Sequence, residues 1–295
     1  MINSTSISWL AFALASAFFA GITSILAKIG LKDTDSNLVT ALRTVVVAIF
    51  AWLIVFIVGS HSTLTLIDFR SLIFLILSGL ATGGSWLCYF RALQLGDVNK
   101  VVPVDKSSTV ITMLMAFVFL GEGLTLLKVA AMVLIGAGAW LMIERKETVS
   151  AGKQGYRWLI YALLSAVFAS LTAILGKIGI TEVESNLGTA IRTMVVLAMA
   201  WLIVLIQGRQ RGVKQISGRS WAFICLSGIA TGLSWLCFFR ALQEGPAGIV
   251  VPIDKLSILV TVAFGYIILR ERLNKKPVFG LIMIVAGTLS LLIYF

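Results

Sequence analysis

The chain has 295 residues, 59% of them hydrophobic and 13% charged, and its mean hydropathy is +1.01. A soluble domain is about half apolar and roughly a quarter charged, so the composition excludes a soluble enzyme, a disulfide scaffold and a disordered tail. The net charge of +11 does not point to nucleic acid, because the basic residues fall mostly in links between apolar segments, where they report membrane orientation.

In chain order, the first apolar segment lies near 7–29. It lacks a basic leading region and many similar segments follow it, so it reads as a membrane span and not as a cleaved signal. Further segments follow near 38–58, 71–93, 101–120 and 125–143, and then near 158–178, 187–206, 220–242, 248–269 and 277–295. Lengths near 20 residues suit helices that cross a bilayer. Short links such as Asp33 to Asn37 and Gly96 to Asn99 suit helical hairpins. Cys88, Cys225 and Cys237 sit inside apolar stretches and read as small core residues. His61 is the only histidine and no CxxC accompanies it, so neither a metal nor a cofactor is expected.

The chain is one unit written twice. At a constant offset of 149 residues, Asn37 recurs as Asn186, Arg43 as Arg192, Arg91 as Arg240, Pro103 as Pro252 and Glu122 as Glu271. The phrase SGLATGGSWLCYFRALQ returns as SGIATGLSWLCFFRALQ, and VVPVDKSS as VVPIDKLS. Five spans per unit is an odd number, so the second unit must cross in the opposite sense. The links agree with this. Arg209, Arg211, Lys214 and Arg219 stand where the first unit has only Arg70, and Arg270, Arg272, Lys275 and Lys276 stand where it has only Lys128. The middle link carries Arg145, Lys146, Lys153 and Arg157. The positive-inside rule then predicts a cytoplasmic middle link and both termini outside. The expected fold is an all-α polytopic membrane protein of ten transmembrane helices in a 5+5 inverted-topology repeat. Its first repeat spans 5–145, its basic linker 146–155 and its second repeat 156–295.

Charges within spans cost several kcal/mol unless paired or hydrated, so they mark candidate sites. Asp105, Ser108 and Thr112 stand at i, i+3 and i+7 and share a helical face, and Asp254, Ser257 and Thr261 repeat the set. Each aspartate is either a coupling or binding group or one half of a packing pair with a cation such as Arg43 or Lys28. On the third and eighth spans, Ser78, Thr82, Ser85 and Tyr89 form a polar stripe echoed by Ser227, Thr231, Ser234 and Phe238. Trp86 and Trp235 beside it suit an aromatic wall. Gly79 and Gly83, with Gly228 and Gly232, read as close-packing positions. Arg43 and Arg192 accompany a stripe of Asn37, Thr40 and Thr44 and its copy. Ser36 and Ser185 suit helix caps, Lys28 and Lys177 suit snorkelling at span ends, and the fifth and tenth spans read as packing elements outside a pathway.

The ten-helix pattern, the Gly121-Glu122 pair closing the fourth span and the VPVDK phrase resemble the EamA branch of the drug/metabolite transporter superfamily. The repeated phrases are similar to those of five-helix members, so the chain resembles a fused pair. The resemblance covers nearly the whole chain and departs from the family pattern in two ways. Thr109 and its neighbours stand where many members carry a proline, and ten-helix relatives are commonly described with cytoplasmic termini. It implies a secondary transporter of a small metabolite, an amino acid or related solute, exported across a bacterial inner membrane, and no enzyme. Alternating access would place the site where the halves meet, with Asp105 and Asp254 as substrate or proton groups. A passive channel or lipid flippase on the same scaffold is the alternative. The expected partners are a small-molecule substrate and membrane lipid, with no nucleic acid. The chain would act as a pseudo-dimer in itself, which is compatible with a monomer. The first and sixth spans carry no acidic residue, which counts against exchange of lipophilic cations.

Overall fold

A computed structural model describes residues 4–30, 35–95, 101, 104–142, 156–269 and 274–293, without the side chains of 4–7, 28, 90, 93, 94, 268 and 269. Lys28 as a side chain, Pro103, Glu271 and Arg145, Lys146 and Lys153 of the middle link therefore lie outside the described residues, as do Arg270 and Arg272.

The described residues are helical and contain no strand. Helices α1 (Ser4–Gly30), α2 (Ser36–Val58), α3 (Phe69–Leu95), α4 (Ser108–Leu120) and α5 (Leu126–Leu141) build the first repeat. Helices α6 (Arg157–Gly179), α7 (Ser185–Ile206), α8 (Gly218–Glu244), α9 (Ala247–Asp254), α10 (Ser257–Leu269) and α11 (Lys275–Ser290) build the second. Among the described residues seven segments are long and apolar enough to cross a membrane, with α9 and α10 counted as one. The remaining three of the ten expected spans are described over shorter lengths. Among the described residues α4 has 13 residues and α5 and α11 have 16 each. At 1.5 Å per residue, 16 residues reach about 24 Å, short of the roughly 30 Å hydrocarbon core.

Helix boundaries follow from local chemistry. Asp35 caps α2 by accepting from the amides of Asn37 and Leu38, and Glu184 caps α7 through Asn186 and Leu187. An anion at a helix N-terminus meets unpaired amides and the positive end of the dipole. This corrects the assignment of Ser36 and Ser185 as caps, since both are the first residues inside their helices. The Ser185 hydroxyl has no hydrogen-bond partner.

The most extensive helix contacts join the two repeats. They pair α3 with α6, α1 with α8, α5 with α11 and α2 with α7. The first two pairs exchange under the 149-residue offset, and each of the other two maps onto itself. The glycines show why these helices approach so closely. A Cβ on Gly79 would meet Val195 Cβ at 2.7 Å, and one on Gly228 would meet Val46 Cβ at 2.6 Å. Helices in lipid associate through packing and not through a hydrophobic drive, so small residues at crossings are the main device available. Large apolar side chains such as Ile49, Phe56 and Ile57 point outward and remain exposed, as a lipid-facing surface requires.

Candidate functional site

Two aspartates anchor matched polar chains between the repeats. Ser165 Oγ on α6 donates to Asp105 Oδ1 at 2.8 Å and lies 3.3 Å from Ser85 Oγ on α3. Ser16 Oγ on α1 donates to Asp254 Oδ1 at 2.6 Å and lies 3.3 Å from Ser234 Oγ on α8. Every position in one chain maps onto the other by the repeat offset. The described partners of the carboxylates are thus serines of the opposite repeat and not Arg43. Among the described residues neither aspartate forms an ion pair.

The helix carrying Asp254 is broken where the chemistry lies. Pro252 lacks an amide proton and so leaves one backbone acceptor free. After Asp254 the chain tightens, with Leu256 N bonding Ile253 O and Ile258 N bonding Lys255 O, before α10 begins. A turn at Ser107 interrupts the fourth segment at the equivalent place. Asp105, Ser108 and Thr112 therefore do not lie along one unbroken helix. Ser108 and Thr112 are buried, with the Ser108 carbonyl accepting from Ser170 Oγ on α6 at 2.9 Å and from Thr112 Oγ1 at 2.8 Å. Their counterparts Ser257 and Thr261 instead face open space.

That space is a cavity of about 270 Å³. Lys106 and Lys255 line it with the hydroxyls of Ser24, Thr109, Ser257 and Thr261, and Ile135, Ala139, Ile258 and Ile284 supply its apolar side. Helices α5 and α11 pack through glycine, with a Cβ on Gly138 placed 2.6 Å from Gly280 O. They also contribute Ile135, Ala139 and Ile284 to the wall of this cavity. Lys106 lies within electrostatic reach of Lys255, Asp105 and Asp254, so four ionisable groups of the two broken segments converge here.

A second cavity, of about 230 Å³, lies beside the first aspartate chain and shares Ser85 with it. Trp86 and Trp235 line it together with Thr82, Thr172 and Arg192. Arg192 is 2% exposed. It donates to Thr82 Oγ1 at 2.8 Å and to Ser78 Oγ at 3.3 Å, and its guanidinium lies 4.4 Å from the Phe239 ring centre and 5.1 Å from that of Trp235. Arg43, its counterpart, has no such contacts among the described residues, and Ser227 and Thr231 bond instead within α8. Tyr89 sits within electrostatic reach of Asp105 and packs near Ala92, Val101 and Ala162.

One end of the molecule is latched. Gly121 adopts φ +66° and turns the chain out of α4, a conformation that costs a side-chain-bearing residue about 1–2 kcal/mol. The turn aims Glu122 at α9, where its carboxylate accepts from Ala247 N at 2.5 Å and Gly248 N at 2.9 Å. Nearby, Lys177 Nζ donates to the carbonyls of Leu242 and Gly245 at the end of α8. Gln243 Nε2 donates to Ile180 O and Val183 O. Lys177 thus caps a helix C-terminus, which corrects the snorkelling role expected for it. The sequence reading singled out Asp105, Asp254, Ser85, Ser234, Trp86, Trp235 and Arg192. It missed Ser16, Ser165, Glu122 as a cap and the two lysines as cavity residues.

The comparisons with known proteins agree with this architecture. The model of the EamA-like transporter family matches residues 7–144 and 156–293, one unit per repeat. An uncharacterized transporter from a Sinorhizobium species is 45% identical over 137 residues, covering 46% of this chain and 97% of that protein, so the relative is about one repeat long. The uncharacterized transporter YxxF of Bacillus subtilis is 24% identical over 69% of this chain and 64% of its own length. A solved crystal structure superposes over 97% of each chain with TM-score 0.79 at 16% identity, which establishes a shared fold. Two family units matched end to end across a multi-pass helical chain identify this protein as a member of the EamA-like transporter family.

Proposed function

We propose that the chain is a ten-span, 5+5 inverted repeat that moves a small metabolite by alternating access, as an exporter of an amino acid or related solute in a bacterial inner membrane. The observation that carries this reading is the unequal state of equivalent residues in two halves built on the same repeated phrases. Arg192 is enclosed by Ser78, Thr82, Trp235 and Phe239, whereas among the described residues Arg43 makes no matching contact with Ser227, Thr231 or Trp86, the side chain of Phe90 lying outside them. The latch of Glu122, Lys177 and Gln243 ties the start of α9 and the end of α8; its counterparts Glu271, Lys28 and Gln94 lie outside the described side chains, so the inequality rests on the two arginines. The lysine-lined cavity lies nearer the end of α5 that leads into the middle link. A pseudo-symmetric protein caught asymmetric has a second state in which the two repeats exchange conformations. In that state Arg43 would take Ser227 and Thr231 as partners.

The interlocked helices refine the motion. Because α1 packs on α8 and α3 on α6, the moving bodies are pairs drawn from both repeats and not one repeat rocking against the other. Asp105 and Asp254 sit at the hinge-like breaks and serve as coupling groups. The test is counterflow in proteoliposomes. A transporter accelerates uptake of labelled solute when unlabelled solute is inside, and equal rates with and without internal solute would instead indicate a channel. Orientation is tested by Ser150→Cys in the middle link. Modification by an impermeant reagent from outside intact cells would reverse the proposed topology.

A further inference from the structure

The transport reading names an amino acid or a related solute, and the cavity between the broken segments favours the related acid over the zwitterion. Lys106 and Lys255 are equivalent residues of the two repeats, and both face the same space. Among the described residues neither ammonium group donates a hydrogen bond or forms an ion pair. Lys106 is exposed and lines this cavity. Two like charges lining one cavity repel one another, and Asp105 and Asp254 within reach of Lys106 offset part of that repulsion. Such an arrangement is relieved when an anion sits between them.

The acidic groups nearby do not take that place. Asp105 and Asp254 are absent from the cavity lining and are engaged by Ser165 and Ser16. Among the described residues an ammonium on a solute would find no carboxylate in the lining, only the hydroxyls of Ser24, Thr109, Ser257 and Thr261. At about 30 Å³ per water, the cavity of about 270 Å³ holds roughly nine non-hydrogen atoms. Ile135, Ile258 and Ile284 offer apolar contact to whatever extends away from the lysines.

We infer that Lys106 and Lys255 form a carboxylate clamp, and that the chain binds compact aliphatic organic acids of net negative charge in preference to zwitterions and amines. The inference rests on the transport reading for its physiological sense, but the binding experiment does not. The purified full chain in detergent is titrated with three probes of equal size, namely the 2-oxo acid derived from leucine, leucine itself and leucinamide, with inorganic phosphate as a fourth. Binding is read by thermal unfolding and by tryptophan fluorescence.

The oxo acid should bind at least about tenfold more tightly than leucine, with leucinamide giving no shift. K106Q/K255Q should lose at least about tenfold in affinity for the oxo acid, and K106R/K255R should retain most of it. The arginine pair separates loss of charge from loss of folding. Equal binding of leucinamide, an unaffected glutamine double variant, stabilisation by phosphate but by no carboxylate, or no response to any acid would each overturn the clamp. Acid binding without counterflow would leave the clamp standing and defeat the transport reading. Counterflow of leucine or leucinamide with no acid binding would do the reverse.

Discussion

Glu122 offers the sharpest perturbation, because one side chain of the first repeat holds the start of a helix in the second. Glu122→Ala removes two hydrogen bonds from a carboxylate to the amides of Ala247 and Gly248, and it also removes the negative charge near Lys177. A hydrogen bond to a charged group contributes about 1.5–3 kcal/mol, and an anion at a helix N-terminus about 0.3–1 kcal/mol, up to ~2 when partly buried. These terms overlap, so a loss of about 3–4 kcal/mol is the reasonable sum. With 1.4 kcal/mol per factor of ten, that is a shift of about 150- to 700-fold against the latched state. Glu122→Gln keeps the shape but donates and accepts as a neutral group, so about half the effect should remain. The assay is amide hydrogen exchange in lipid nanodiscs, read on peptides covering 245–256. Exchange there should rise at least about a hundredfold in Glu122→Ala, and less in Glu122→Gln, with α2 and α7 unchanged. Gly248→Ala is an independent check, since its Cβ would stand 2.8 Å from Glu122 Oε2 and push the carboxylate away. Unchanged exchange in both Glu122→Ala and Gly248→Ala would refute the latch.

Three further outcomes follow from the same geometry. Arg192→Met should cost about 2–4 kcal/mol of unfolding stability, because it removes two hydrogen bonds and two aromatic contacts of a buried guanidinium, whereas Arg43→Met should change it by less than about 1 kcal/mol; tryptophan-monitored denaturation compares them, and equal losses would remove the asymmetry from the argument. Asp105→Asn and Asp254→Asn should each abolish the pH dependence of counterflow, while Ser165→Ala and Ser16→Ala, which remove the described donors to those carboxylates, should slow counterflow at least about tenfold; a pH profile that survives both asparagine changes rules out coupling through these residues. Gly138→Ala should destabilise the α5–α11 contact by about 1–3 kcal/mol, since its Cβ would meet Gly280 O at 2.6 Å. Gly123→Ala, where nothing lies within 4 Å, is the control, and equal unfolding midpoints for the two variants would contradict the close crossing.

The membrane class, the duplication and the family were legible in the residues because each rests on local or periodic pattern. Apolar runs interrupted by single charges announce helices in lipid, and charge there is costly enough to mark Asp105, Asp254 and Arg192 as residues that need partners. The polar stripe with Ser85 and Ser234 was legible by its helical spacing. Ser16 and Ser165 carried a usable signal, since they are identical serines at the repeat offset. A lone serine in an apolar helix nonetheless looks like a packing residue until its neighbour is known. Lys106 and Lys255 were visible as duplicated charges, but one residue's displacement on a helix turns a side chain by about 100°. Which of Asp and Lys meets the cavity depends on the break after them.

What the sequence by itself determined is a helical membrane chain of two like units, the charge imbalance between their links and the set of polar residues within the spans. Those features follow from transfer energies and helical periodicity, which are properties of segments. Only the tertiary structure decided that each repeat packs mainly against the other, that serines and not arginines hold the aspartates, and that two lysines share one cavity. It alone separated Arg192 from Arg43. The segments SNLVTALRT and SNLGTAIRT that carry the two arginines have similar local preferences, so their different surroundings come from what the rest of the bundle packs against them.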